Sequence, residues 1–188
     1  MLLLLKNENQ KLIEKVIPLV SFRSRAILET SIATVVAVIV PAILAHTPQN
    51  QFIVGPIINA ILFWMALRVG IANALFIAVI PSMIALFRGM LPIQATTIIP
   101  FIILGNCVMI LVFSLIGTPH GVSSTRYGAY LQIILAALAK TLVIALPAFF
   151  ILNLPSTVSF MMSWPQLITA FVGGTIVIFI NNRLSMKG

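Results

Sequence analysis

Lys140 is the residue in this sequence whose type and position most strongly indicate chemistry. It lies twelve residues from either end of the apolar run 128–152, too deep to reach the membrane surface easily. An ionised group in hydrocarbon is costly, so a lysine at this depth predicts a specific role. The chain has three acidic residues, and none of them falls at the depth of Lys140. Two interpretations stay open: the ammonium group bonds to protein carbonyls or Asn side chains, or a solute supplies its counter-charge.

Five other residues lie toward the ends of the apolar runs that are predicted to face outward, and they are candidate contacts for a polar solute. They are Arg88, Asn59, Asn106, Trp164 and Gln166. Four of the five have a structural alternative: the asparagines can pair between helices, and Trp164 and Arg88 can mark the membrane interface.

The sequence offers little material for catalysis or metal binding. It has one cysteine, Cys107, and its two histidines, His46 and His120, fall on opposite sides of the predicted membrane. No nucleotide-binding, zinc-protease or serine-hydrolase motif is present. We therefore predict no enzyme activity, no cofactor and no metal site, although a haem or metal site that uses His46 alone stays a minor alternative.

The composition places most of the chain in lipid. Of 188 residues, 61% are hydrophobic and 7% are charged, whereas soluble domains carry about 25% charged residues. The net charge of +8 could indicate nucleic-acid binding, but basic residues this sparse are better explained by membrane topology, so no nucleic-acid partner is predicted.

Six apolar runs predict an all-α integral membrane protein with six transmembrane helices in one bundle. The runs cover residues 24–46, 52–67, 71–87, 95–116, 128–152 and 164–180. Residues 1–23 are expected to form a cytoplasmic or interfacial segment, 24–183 the membrane domain, and 184–188 a cytoplasmic tail. With both termini in the cytoplasm, nine of the eleven Lys and Arg residues fall on the cytoplasmic side.

Each predicted span carries a proline in its extracellular half, and a proline inside a helix removes one backbone hydrogen bond. The six are Pro41, Pro56, Pro81, Pro100, Pro147 and Pro165. Proline is common in membrane helices, but this one-sided placement favours an outward-opening cavity framed by kinked helix ends.

Small residues recur at helical spacing on the inner half of the first span, at Ala26, Thr30, Ala33 and Ala37. Such a stripe allows close helix approach in lipid. It can serve packing within the chain or docking of another membrane subunit.

These features together resemble the substrate-binding S components of energy-coupling factor (ECF) transporters. Ala33 and Ala37 are similar to the Ala-x-x-x-Ala pattern by which that family docks its membrane coupling protein. The stretches GPIINA at 55–60, IPFIILGN at 99–106 and MMSWPQL at 161–167 resemble a subgroup of S-component-like proteins. The likeness covers residues 24–183.

The resemblance implies a function and a set of partners. An S component captures a vitamin or other micronutrient from outside the cell, docks to a membrane coupling subunit with two cytoplasmic ATPases, and releases the solute inside. It also implies a bacterial plasma membrane. Together with Lys140, the resemblance predicts a solute with an anionic group. Residues 89–95 or 153–163 would then form the gate over its binding site. The main alternative is a structural or assembly subunit of a membrane complex.

Overall fold

The computed structural model describes residues 24–44, 51–87, 89, 93–117, 125–152 and 154–185. Seven α-helices lie in this part of the chain: α1 Ser24–Leu44, α2 Gln51–Arg68, α3 Ile71–Phe87, α4 Ile99–Ile116, α5 Arg126–Phe150, α6 Ser156–Met161 and α7 Trp164–Ser185. A 3₁₀ helix, Ile93–Ile98, leads into α4. No strand occurs among these residues, which confirms the predicted all-α class.

Five helical stretches in the described part are long and apolar enough to cross a membrane, which indicates a multi-pass membrane protein. The remaining long helix, α3, has 17 residues. At about 1.5 Å per residue it is roughly 25 Å long, slightly short of a hydrocarbon core of about 30 Å. The count of six spans and the cytoplasmic placement of the termini therefore stay predictions.

Close contacts fix the directions of the helices. A Cβ atom added to Gly55 on α2 would meet Thr169 on α7, and one added to Gly173 would meet the Ala60 nitrogen, so α2 and α7 run parallel. Helices α4 and α5 are antiparallel, because Gly105 lies against Ile144 while the Gln132 side chain donates a hydrogen bond to the Phe113 carbonyl at 2.6 Å.

The bundle has two chemically different ends. At the arginine end, Arg25 of α1 and Arg68 of α2 line one cavity of about 280 Å³, and Arg183 lies in the last turn of α7. At the opposite end, here called the α6 end, α2, α4 and α7 begin, α3 and α5 finish, and the short helix α6 lies.

The joint between the second and third apolar runs, Arg68-Val-Gly70, is the shortest in the sequence, which predicts a tight helical hairpin. A tight turn joins α2 to α3 at this point. The Gly70 amide donates to the Met65 carbonyl at 2.9 Å, and Gly70 has a φ of 126°, in the region that favours glycine. The predicted helical hairpin is therefore confirmed.

Small side chains on α3 and an aromatic pair between α2 and α4 form part of the core. Ala74, Ala78 and Ser82 of α3 are buried, and the rings of Phe63 and Phe113 meet edge to face at 4.8 Å in the core between α2 and α4.

The stripe of small residues on α1 is partly inside this core. Ala37 is fully buried and Ala33 is 8% exposed, whereas Ala26 and Thr30 are half-buried. Thr30 donates its hydroxyl to the Ala26 carbonyl at 2.7 Å. The burial of Ala33 and Ala37 favours packing within the chain, and the docking role of the stripe stays a prediction.

The prolines lie toward the α6 end. The helices continue through Pro56, Pro81 and Pro147, while Pro100 and Pro165 lie in the first turns of α4 and α7. A proline in a first helical turn costs no hydrogen bond, because the first amides of a helix have no partner within it.

Helix α6 lies within residues 153–163, where the sequence predicts a loop. It has six residues, too few to show a helical period. Its buried Val158 belongs to a core cluster with Ile98, Ile144 and Ala148, and Ser159 bonds to Ala148. Tertiary contacts rather than sequence pattern therefore stabilise this helix.

Candidate solute-binding site

A cavity of about 500 Å³ lies at the α6 end, and residues of α2, α3, α4, α5, α6 and α7 line it. This volume falls in the range of about 300–1,000 Å³ that is typical of small-molecule sites. Much of the wall is apolar, including Val54, Ile58, Ile99, Ile102 and Met161. A few polar side chains interrupt it, as in sites that orient an organic solute.

Four residues predicted from the sequence meet in this wall. They are Asn59, Asn106, Lys140 and Gln166. They come from four different helices, so the fold brings together positions that are 26 or more residues apart in the sequence.

Lys140 is 3% exposed. Its Nζ donates a hydrogen bond to Asn59 Oδ1 at 2.6 Å, the one partner that the described residues supply. Glu29 is the single acidic residue in the described part, and it pairs with Arg25 at 2.9 Å at the arginine end. The partner of Lys140 is thus a neutral amide, which leaves its positive charge without a counter-charge among these residues.

A hydrogen-bonded chain holds Asn59 in the orientation that Lys140 requires. Asn59 Nδ2 donates to Thr169 Oγ1 at 3.4 Å, and that hydroxyl donates to the Gln166 carbonyl at 3.1 Å. Since the amide nitrogen faces Thr169, the amide oxygen faces Lys140. Sequence reasoning did not identify Thr169, because a threonine in an apolar helix usually satisfies its hydroxyl within the helix.

The position of Asn106 depends on Gly105. A Cβ atom at Gly105 would lie 2.7 Å from Ile144 Cγ1 and 3.2 Å from the Lys140 carbonyl oxygen. The glycine therefore allows α4 to lie directly against α5 at the level of Lys140. Asn106 is 3% exposed, and its Nδ2 donates to the Ala78 carbonyl at 3.4 Å, whereas its Oδ1 is buried without a partner.

The other predicted contacts are placed differently. Trp164 is 64% exposed and does not belong to the cavity wall, a position that favours the interfacial-anchor alternative. Arg88 lies outside the described residues, as do His46 and His120. Within the part of the chain that is described, no group of three or more His, Cys, Asp or Glu side chains could hold a metal ion.

Helix α6 and its flanking residues cover part of the cavity. Pro155, Thr157, Val158, Met161 and Met162 contribute to the wall. Two hydrogen bonds hold the segment: Gln51 Nε2 donates to the Met161 carbonyl at 2.8 Å, and Ser159 Oγ donates to the Ala148 carbonyl at 3.1 Å. Of the two predicted gating segments, 153–163 thus lies at the cavity, and most of 89–95 lies outside what the structure describes.

Comparisons of the chain with protein-family models, with curated proteins and with solved structures gave no match. The resemblance to ECF S components accordingly rests on the sequence features given above.

Proposed function

We propose that this chain is a membrane protein that captures a small organic solute with an anionic group in the cavity at the α6 end. The observation that carries the proposal is a buried ammonium group in the wall of a cavity of about 500 Å³, with a neutral amide as its partner. An ion buried without a counter-charge is costly, and a bound anion would offset that cost.

The positions of the polar groups support this proposal over a purely structural role for Lys140. A lysine that only joins helices needs no cavity beside it. Here the wall around Lys140 is mainly apolar and includes Asn106 and Gln166, which suits an orienting polar contact within an otherwise apolar site.

The resemblance to S components extends the proposal to transport. We propose six spans with both termini in the cytoplasm, so that the α6 end faces outward and takes up a vitamin-like micronutrient. A membrane coupling subunit and two cytoplasmic ATPases would then drive its delivery across a bacterial plasma membrane. ATP hydrolysis would belong to those partners and not to this chain.

Replacement of Lys140 by Met tests the capture step. We expect Lys140→Met to raise the Kd of the anionic solute at least about tenfold, because it removes the charge and keeps most of the side-chain volume. The solute is the one that co-purifies with the wild-type chain, and native mass spectrometry identifies it. Isothermal titration calorimetry then measures its Kd for the wild type and the variant.

The matched control is Thr141→Val, which changes the next residue. The Thr141 hydroxyl donates a hydrogen bond to the Ala137 carbonyl of the same helix at 2.8 Å. The Kd of the Thr141→Val variant should therefore stay at the wild-type value. An unchanged Kd in Lys140→Met would remove Lys140 from the site. A chain that carries no solute and co-purifies with membrane proteins but no ATPase would instead favour an assembly subunit.

The hydrogen bond between Ser159 and Ala148 predicts a role for α6 in solute exchange. We expect Ser159→Ala to speed solute dissociation by about two- to tenfold, since a net hydrogen bond contributes about 0.5–1.5 kcal/mol. Stopped-flow measurement of the dissociation rate checks this result. Ser163→Ala is the control, because its hydroxyl bonds to Phe160 within one turn of the chain; equal rates in both variants would contradict a gating role.

A further inference from the structure

We propose that the solute is a monocarboxylate with an apolar body that also carries an N–H or O–H donor, which Asn106 Oδ1 accepts while Lys140 binds the carboxylate. This inference rests on the proposed function and specifies the chemical class of the solute. Three properties of the residues that line the cavity carry it: the unpartnered oxygen of Asn106, the single charge of Lys140, and the mainly apolar character of the other side chains.

The orientation of the Asn106 amide is fixed by its neighbour. The Ala78 carbonyl can only accept a hydrogen bond, so the group that lies 3.4 Å from it must be the amide nitrogen. The oxygen therefore faces elsewhere, and it is buried with no partner. A buried acceptor without a donor is rare in folded proteins and calls for an explanation. A donor on the solute would supply the missing hydrogen bond.

The charge of the wall limits the anion. Among the described lining residues, Lys140 is the one charged side chain. One ammonium group balances one negative charge, whereas a dianionic phosphate would leave a second charge in an apolar site. Of the three ammonium protons, Asn59 Oδ1 accepts one. The other two are available to a carboxylate, which accepts hydrogen bonds through both oxygens.

Most of the other lining residues are apolar, although Gln51, Ser82, Thr157 and Gln166 also contribute to the wall. Ile58, Ile99, Ile102 and Val158 offer no hydrogen bond to a ligand, and the thioether of Met161 is only a weak acceptor. A sugar acid carries a hydroxyl on most of its carbons, more polar groups than the few polar side chains of the wall can satisfy, so it would lose hydrogen bonds to water without replacing all of them. An aromatic or aliphatic body fits this surface.

Matched pairs of carboxylates test the inference on the full-length chain in detergent. Indole-3-acetate is compared with benzofuran-3-acetate, in which oxygen replaces the N–H, and 4-hydroxyphenylacetate with phenylacetate. Dissociation constants are measured by calorimetry for the wild type, Asn106→Leu and Lys140→Met. We expect the wild type to bind the donor member of a pair at least about fivefold more tightly, because its twin leaves a buried acceptor unpaired.

The variants distinguish this inference from the proposed function. Asn106→Leu should remove the preference within a pair, and Lys140→Met should weaken both members. Equal binding of both members by the wild type overturns the donor requirement and leaves anion capture standing. If none of the four carboxylates binds the wild type, the monocarboxylate class is overturned, and the test of Lys140→Met with the co-purified solute decides the proposed function separately. The wild-type comparison requires no substitution, so it decides the question even if Asn106→Leu does not fold.

Discussion

Asn59→Asp is expected to lower the affinity for an anionic solute by about a hundredfold while the chain stays folded. The substitution places a carboxylate at the position of the Asn59 amide, whose Oδ1 lies 2.6 Å from Lys140 Nζ. The ammonium group then has a counter-charge inside the protein, and an incoming anion must compete with it. A hundredfold change corresponds to about 2.7 kcal/mol, close to the roughly 3–5 kcal/mol lost when one partner of a buried ion pair is removed.

Thermal unfolding separates this effect from misfolding. Because the introduced carboxylate would neutralise a buried charge, we expect the Asn59→Asp variant to unfold at a temperature no lower than that of the wild type. Gln166→Glu is the matched control, since it also adds a carboxylate to the cavity wall but at a residue whose side chain is not the hydrogen-bond partner of Lys140. If both variants bind equally weakly, general repulsion explains the loss, and neutralisation of Lys140 does not.

Gly173→Ala is expected to destabilise the bundle by about 1–3 kcal/mol, the usual cost of an added group in a packed interior. The new Cβ would lie 2.8 Å from the Ala60 nitrogen, the Asn59 Cβ and the Pro56 carbonyl oxygen. Backbone atoms cannot move aside as a flexible side chain can, so α7 must shift away from α2. Thermal unfolding of the purified protein in detergent measures the change.

The matched control adds a methylene on a more exposed surface of the same helix. Val172 precedes Gly173 and is 39% exposed, so Val172→Ile should leave the unfolding temperature nearly unchanged. The shift of α7 in Gly173→Ala should also weaken solute binding, because Asn59 lies at this contact. A stable Gly173→Ala variant with wild-type affinity would show that α2 and α7 do not need to be this close.

The sequence predicts the bounds of a helix well where the length of an apolar run alone determines them. The third apolar run, 71–87, coincides with α3, and the fifth differs from α5 by two residues at each end. The hairpin at Gly70 followed from a joint too short for any other connection. Helix α6 could not be predicted, because contacts with Ile98 and Ile144 stabilise it and these residues are distant in the sequence.

The site was predictable to the extent that depth in the membrane makes a polar residue conspicuous. Depth predicts Lys140, Asn59 and Asn106, and the position at the start of the sixth apolar run predicts Gln166; all four line the cavity. Their pairing was not predictable, since the bond between Lys140 and Asn59 depends on how α5 lies beside α2. Position along the helix makes Trp164 a candidate, but it does not determine which face of the helix the side chain occupies.

The parallel contact between α2 and α7 links the Asn59 amide, which is the partner of Lys140, to the relative position of these two helices. The Asn59–Thr169 hydrogen bond is 3.4 Å long, already beyond the usual range of about 2.7–3.2 Å, so a small relative displacement of the two helices breaks it. The Asn59 amide would then be oriented by its 2.6 Å hydrogen bond from Lys140 alone. If the chain captures an anion as proposed, the relative position of α2 and α7 would therefore influence how firmly that anion is retained.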